Sequence, residues 1–168
     1  ALAQLLTRVK PGLIRVDADE VTYPAHIMLR YDIERQLIEG DIEAADIPSL
    51  WDAQMSSLLA LDTRGNFKDG PLQDVHWPMG LFGYFPCYSM GAMYAAQWFA
   101  SIEKAIPNVH TDIHNGNLQP IWEWLNDNIW EKASFWPTVE LAQKASGSEL
   151  DLRYFKRHLY KRYLGETL

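Results

Sequence analysis

The sequence predicts a mostly α-helical protein, a helical array with at most a short strand near residues 13–18. Three observations carry this reading. Apolar residues recur at three- and four-residue spacing through most of the chain. Proline sits just inside the start of these segments, at Pro24, Pro48 and Pro120, where a first helical turn tolerates it. Glycine follows their ends, at Gly40 and Gly147, where a left-handed cap is wanted.

Taken in order, Gln4 to Val9 is amphipathic but too short to stand alone, and Pro11-Gly12 stops it. The alternating Leu13 to Ala18 fits a short strand, and Asp19-Glu20 with Thr22 and Pro24 fits a helix start. Tyr23, Ile27, Tyr31, Leu37 and Ile38 then mark a helix that ends at Gly40. Asp46 begins a second helix, with Leu50, Trp51, Gln54, Met55, Leu58, Leu59 and Leu61 on its apolar face and its end near Asp62. The turn dipeptides Gly65-Asn66 and Asp69-Gly70 place a loop before Gln73 to Trp77.

From Pro78 to Ile102 no residue is ionisable by Asp, Glu, Lys, Arg or His, a stretch of 25. Its two prolines, three glycines and scarcity of Leu, Ile and Val argue against a membrane span. The better reading is a Gly-rich loop, Gly80 to Pro86, entering a helix from Cys87 to Ala105 that is buried on all sides. Further helices are expected from Leu118, with Ile121, Trp122, Leu125 and Ile129 inward, and over Thr138 to Ala145. The last is expected over Asp151 to Leu164, with Leu152, Phe155, Leu159, Tyr160 and Tyr163 inward.

Composition narrows the function. A length of 168 residues suits one domain, and 48% apolar residues exclude general disorder. The net charge of −7 and the lack of long basic runs argue against nucleic acid or an anionic membrane as partner, the Lys/Arg-rich tail from Arg153 to Arg162 being the exception. One cysteine, Cys87, excludes intrachain disulfides and a cysteine-based zinc site, and it fits a reducing, cytoplasmic setting. No signal-peptide pattern opens the sequence.

Most candidate chemistry is weak. His110 and His114 are four apart, but Thr111 stands where the catalytic zinc-helix pattern needs Glu, and flanking turn signals favour a hydrogen-bonded surface loop. Asp17, Asp19 and Glu20 lack the glycine and later Glu of a calcium loop. Cys87, inside an apolar run, reads as buried and inert. Two clusters stand out. Arg15, just before a helix, could fork a carboxylate while Asp19 holds it, although an ordinary structural Arg–Asp pair also fits. Gly70 to Trp77 gathers an amide, a carboxylate, an imidazole and an indole in one loop, which suits either a site or a plain connection.

Together the two clusters resemble signature motifs of the carboxypeptidase Taq family of zinc metallocarboxypeptidases: I/V-R-x-x-A-D from Ile14 to Asp19, and G-x-x-Q-D-x-H-W from Gly70 to Trp77. Gly83-Tyr-Phe-Pro86, Ala95-Ala-Gln97 and Trp122-x-Trp-Leu125 also look familial, as does Glu20 to Tyr23 running on through His26. The resemblance extends over about residues 8 to 165. It implies a helical fold with a deep groove, a homodimer, and zinc in the full-length enzyme. The H-E-x-x-H zinc helix and the third-ligand motif do not occur in this sequence. Residues 1–168 thus resemble the C-terminal portion of a larger catalytic domain, and no zinc is expected in it alone.

The resemblance further implies release of single C-terminal amino acids from peptides by a zinc-bound water. Arg15 would bind the substrate's free carboxylate, with Asp19 orienting it. His76 would be the catalytic residue, hydrogen-bonding substrate or the tetrahedral intermediate. Gln73 and Asp74 would position the loop, and Tyr84 and Tyr88 would line the groove. The isolated chain would then be inactive. The alternative is a non-catalytic helical protein-interaction module.

Overall fold

The computed structural model describes residues 2–132 and 134–166, apart from the Ala3 side chain. The helices are α1 (Leu2–Leu6), α2 (Tyr23–Glu39), α3 (Ile47–Leu59), α4 (Pro86–Ala105), α5 (Val109–His114), α6 (Gln119–Asn128), α7 (Thr138–Ser146) and α8 (Leu152–Leu159). No strand occurs among the described residues. Contacts divide the chain into two compact units, residues 1–90 and 91–168, with the division inside α4.

In the first unit α2 packs on α3. Leu29 and Ile33 from α2 meet Trp51, Met55 and Leu59 from α3, with Leu13, Leu37, Leu50 and Trp77 around them. The caps explain the helix lengths. Gly40, at φ +79°, donates its N–H to the Gln36 and Leu37 carbonyls and ends α2. Ala60, at φ +57°, does the same for α3 at a cost that glycine would avoid, so α3 stops short of the expected Asp62.

The buried face of α2 differs from the one its apolar residues predicted. Tyr31 and Ile38 are exposed, and the interior takes His26, Arg30 and Glu34 beside Ile27, Leu29 and Ile33. His26, Arg30 and Glu34 are one helical turn apart and so share a face. Hydrophobic periodicity assumes that buried means apolar; here Arg30 and Glu34, each with dedicated partners, and the imidazole of His26 break that assumption.

The expected strand at 13–18 is instead a single 3-10 turn, Arg15–Asp17, flanked by extended residues at Ile14 and Ala18. Its extended entry pairs with a side chain. The Gln73 amide accepts from the Arg15 N–H at 2.8 Å and donates to the Leu13 carbonyl at 3.0 Å, the two bonds a neighbouring strand would otherwise make.

In the second unit α4 is not buried all round: Gly91, Ala92 and Ala95 face outward, and Tyr94, Gln97, Ala100 and Ile102 face inward. Gln97 ties α4 to the α7–α8 connection. Its Nε2 donates to the Ser146 hydroxyl at 2.7 Å and the Glu149 carbonyl at 2.9 Å, and its Oε1 accepts from the Asp151 N–H at 2.9 Å. Trp122 and Leu152, expected inward, are exposed. Asp151 caps α8 by accepting from the Arg153 N–H, and residues Tyr160–Leu164 continue as a π-helical turn.

Candidate carboxylate-recognition site

The two sequence clusters meet in the first unit although they lie almost sixty residues apart. Asp74 joins them. Its Oδ1 accepts from Arg15 Nε at 3.0 Å and Nη2 at 2.7 Å, and its Oδ2 accepts from Arg30 Nε at 2.5 Å. Arg15 Nη1 donates to the Tyr23 hydroxyl at 2.7 Å. A guanidinium has five N–H groups. Three are used here, so one N–H on each of Nη1 and Nη2 has no partner among the described residues. The guanidinium also lies 5.0 Å from the Tyr88 ring centroid, which favours the cation further.

Arg30 is fully buried. It donates through Nη1 to the His26 carbonyl and lies 4.5 Å from the Trp51 ring centroid and 5.6 Å from that of Phe85. Its Nη2 has no hydrogen-bond partner among the described residues. Burial lowers the Arg30 pKa to about 10, partly offset by Asp74, so the side chain remains charged at neutral pH. For Asp74, burial works to raise the pKa, but Arg30 and Arg15 together outweigh it and hold the carboxyl below its usual range. For Arg15 the balance also favours the charge: burial opposes it, while Asp74 and Tyr23 raise the pKa above its ordinary value.

His76 follows two residues after Asp74. Its Nε2 is 2.9 Å from the Tyr88 hydroxyl, and its ring lies 4.4 Å from Phe85 and 5.7 Å from Tyr84, centroid to centroid. Its Nδ1 is 3.8 Å from Asp74 Oδ1, too far for a hydrogen bond. Burial lowers its pKa, Asp74 offsetting only part of the effect, so the imidazole is neutral at pH 7.

The loop bearing these groups is pinned at both ends. Gln73 Nε2 donates to the Asp69 carbonyl at 2.7 Å. A Cβ on Gly70 would lie 2.5 Å from the Asn66 carbonyl oxygen, which accounts for glycine at the head of the motif. Farther on, Glu34 accepts from the Trp77 indole at 2.7 Å and the Gly83 N–H at 2.5 Å, fastening the Gly-rich segment to α2.

Of the residues singled out from sequence, Arg15, Gln73, Asp74, His76, Tyr84 and Tyr88 thus come together. Asp19 does not hold Arg15. Its carboxylate accepts from the backbone N–H groups of Lys10, Val21 and Thr22 and so shapes the entry to α2, while Asp74 and Tyr23 orient the guanidinium. Sequence reasoning missed the parts of Arg30 and Glu34; the available signal was the four-residue spacing of His26, Arg30 and Glu34. Cys87 is exposed rather than buried. His110 and His114 lie on helix α5 rather than in a loop, with His110 paired to Glu103 at 2.8 Å. No group of three or more His, Cys, Asp or Glu among the described residues could hold a metal ion. No described helix is long and apolar enough to cross a membrane.

The helical frame that carries this site has close solved counterparts. Metallocarboxypeptidase 1 of Trypanosoma cruzi superimposes with a TM-score of 0.92 at 47% identity, over 96% of this chain and 34% of that one. Thermostable carboxypeptidase 1 of Pyrococcus furiosus is 39% identical over 93% of this chain and 31% of its own length. Carboxypeptidase 1 of Bacillus subtilis is 37% identical over 92% and 30%. The family model described as carboxypeptidase Taq (M32) metallopeptidase matches residues 1–163, and the chain belongs to that family. It spans about a third of the length of these relatives. The family is metal-dependent by its description, but the described residues do not themselves form a metal site.

Proposed function

We propose that this chain is the C-terminal portion of the catalytic domain of a zinc metallocarboxypeptidase, and that it recognises the free carboxylate of a peptide's last residue. The carrying observation is Arg15: a buried guanidinium with its Nε edge fixed by Asp74 and one N–H on each terminal nitrogen unclaimed. Two parallel N–H groups match two carboxylate oxygens, whereas a peptide carbonyl offers one. That distinction is what an exopeptidase needs. Both compact units belong, in this reading, to one catalytic domain whose zinc ligands lie in the rest of the polypeptide, and the isolated chain is inactive.

His76, neutral and hydrogen-bonded to Tyr88, is the group we assign to contact with the reacting carbonyl; a neutral imidazole can donate without competing with Arg15 for the carboxylate. Tyr84 and Tyr88 line the groove beside it. Asp19 and Gln73 contribute by fixing the backbone around Arg15. The full enzyme is proposed to be a cytoplasmic homodimer acting on peptides. In the complete peptidase, Arg15→Met should raise KM for a blocked dipeptide with a free carboxylate about 100-fold. An unchanged KM contradicts the assignment.

A further inference from the structure

We propose that Arg30 is a positioning residue for the substrate carboxylate: by sharing Asp74 with Arg15, it leaves the three-residue cluster with one net positive charge presented through Arg15. The inference rests on the reading of Arg15 given above. An Arg15–Asp74 pair alone is neutral, and a neutral pair attracts an incoming anion only through its dipole. Arg30 occupies the second oxygen of Asp74, so the carboxylate divides its charge between two cations. Glu34, one turn along α2, bonds neither arginine; both its oxygens are taken by Trp77 and Gly83.

The surroundings of Arg30 are costly for a purely structural residue. It is completely buried and its Nη2 is unpartnered among the described residues, with only Asp74, the His26 carbonyl and the faces of Trp51 and Phe85 to offset the lost hydration. Replacing a buried ion cluster by apolar groups is often neutral or stabilising. A cluster serving stability alone would therefore be expected to balance its charge through bonded partners; Arg15, Asp74 and Arg30 carry one excess cation among them, while the compensating Glu34 charge sits a turn along α2 and is bonded elsewhere.

The test uses the complete, metal-loaded peptidase, a blocked dipeptide substrate with a free carboxylate, and the released amino acid as competitive inhibitor. Arg30→Met should raise KM and the inhibition constant together by about ten-fold, with kcat changed by less than about three-fold. Arg30→Lys, which keeps the charge, should stay within about three-fold of the parent KM. Adding Asp74→Asn to Arg30→Met returns the net charge from zero to plus one and should bring KM part of the way back. A packing role predicts the opposite, a double variant no better than the single one. An unchanged KM in Arg30→Met with a raised KM in Arg15→Met overturns the role of Arg30 and leaves that of Arg15 standing. If neither variant moves KM, both readings fall. Should Arg30→Met not fold, Arg30→Gln against Arg30→Lys makes the same comparison, and equal KM values overturn the proposal.

Discussion

In residues 1–90 the buried Arg30 shares a carboxylate with Arg15 and still leaves one nitrogen unpartnered, whereas in residues 91–168 the buried Gln97 has both its nitrogen and its oxygen engaged. The contrast extends across the units. Of eight described buried side-chain atoms lacking a hydrogen bond, seven belong to the first unit, on Thr22, His26, Arg30, Trp51, His76 and Ser89; only Trp98 Nε1 belongs to the second. Unsatisfied buried polar groups are rare and each needs a reason. Gln97 does what a structural polar residue does, closing every bond and joining two segments. The first unit instead leaves Arg30 Nη2 and His76 Nδ1 without a bonded partner among the described residues, both on side chains next to Asp74.

The comparison can be broken most severely at Asp74. Asp74→Ala strands two buried guanidinium groups and should destabilise the complete peptidase by about 3–5 kcal/mol in denaturant melts, with peptide binding lost as well. Because the folded pKa of Asp74 is depressed, its contribution is intact above the ordinary carboxylate range and is lost as pH falls through the depressed value. Gln97→Ala should cost less, about 1–3 kcal/mol, and leave KM unchanged, because its bonds end on Ser146, Ser148, Glu149 and Asp151. A KM shift in that variant would remove the distinction between the units.

At neutral pH the smallest effect is expected from His26, whose contribution grows only toward acid pH. Its imidazole is fully buried, and burial together with the Arg30 charge lowers its pKa to about 4. An unfolded histidine binds its proton near pH 6.5. Between those values the unfolded chain holds more protons, so stability declines as pH falls from about 6.5 toward 4 and this group adds no further loss below that. His26→Leu should flatten the decline in a pH series of thermal melts; an unaltered slope would show that His26 does not carry it.

Much of the frame was legible because it follows local rules. The proline starts at Pro24, Pro48 and Pro120 and the glycine stops at Gly40 and Gly147 fall where the structure has helix ends. The two site clusters were legible too, but their pairing was not: Asp19, four residues from Arg15, was the motif carboxylate close by in sequence, while Asp74 is the one that bonds it in space. A motif reports residue types, not which distant partner folding supplies. The extended residues around Arg15 misled for a related reason, since Gln73 imitates a strand neighbour. Arg30 and Glu34 stayed hidden because charged residues on a helix ordinarily mark its wet face. At α4, the absence of charge suggested burial on every side, yet Gly91, Ala92 and Ala95 remain exposed.

The most direct test of carboxylate recognition by Arg15 is a crystal structure of the complete peptidase with a product amino acid bound. The account predicts the two carboxylate oxygens within about 3 Å of Nη1 and Nη2 of Arg15, with Asp74 still on its Nε edge. A carboxylate seated on other residues, with Arg15 bonded only to Asp74 and Tyr23, would contradict it.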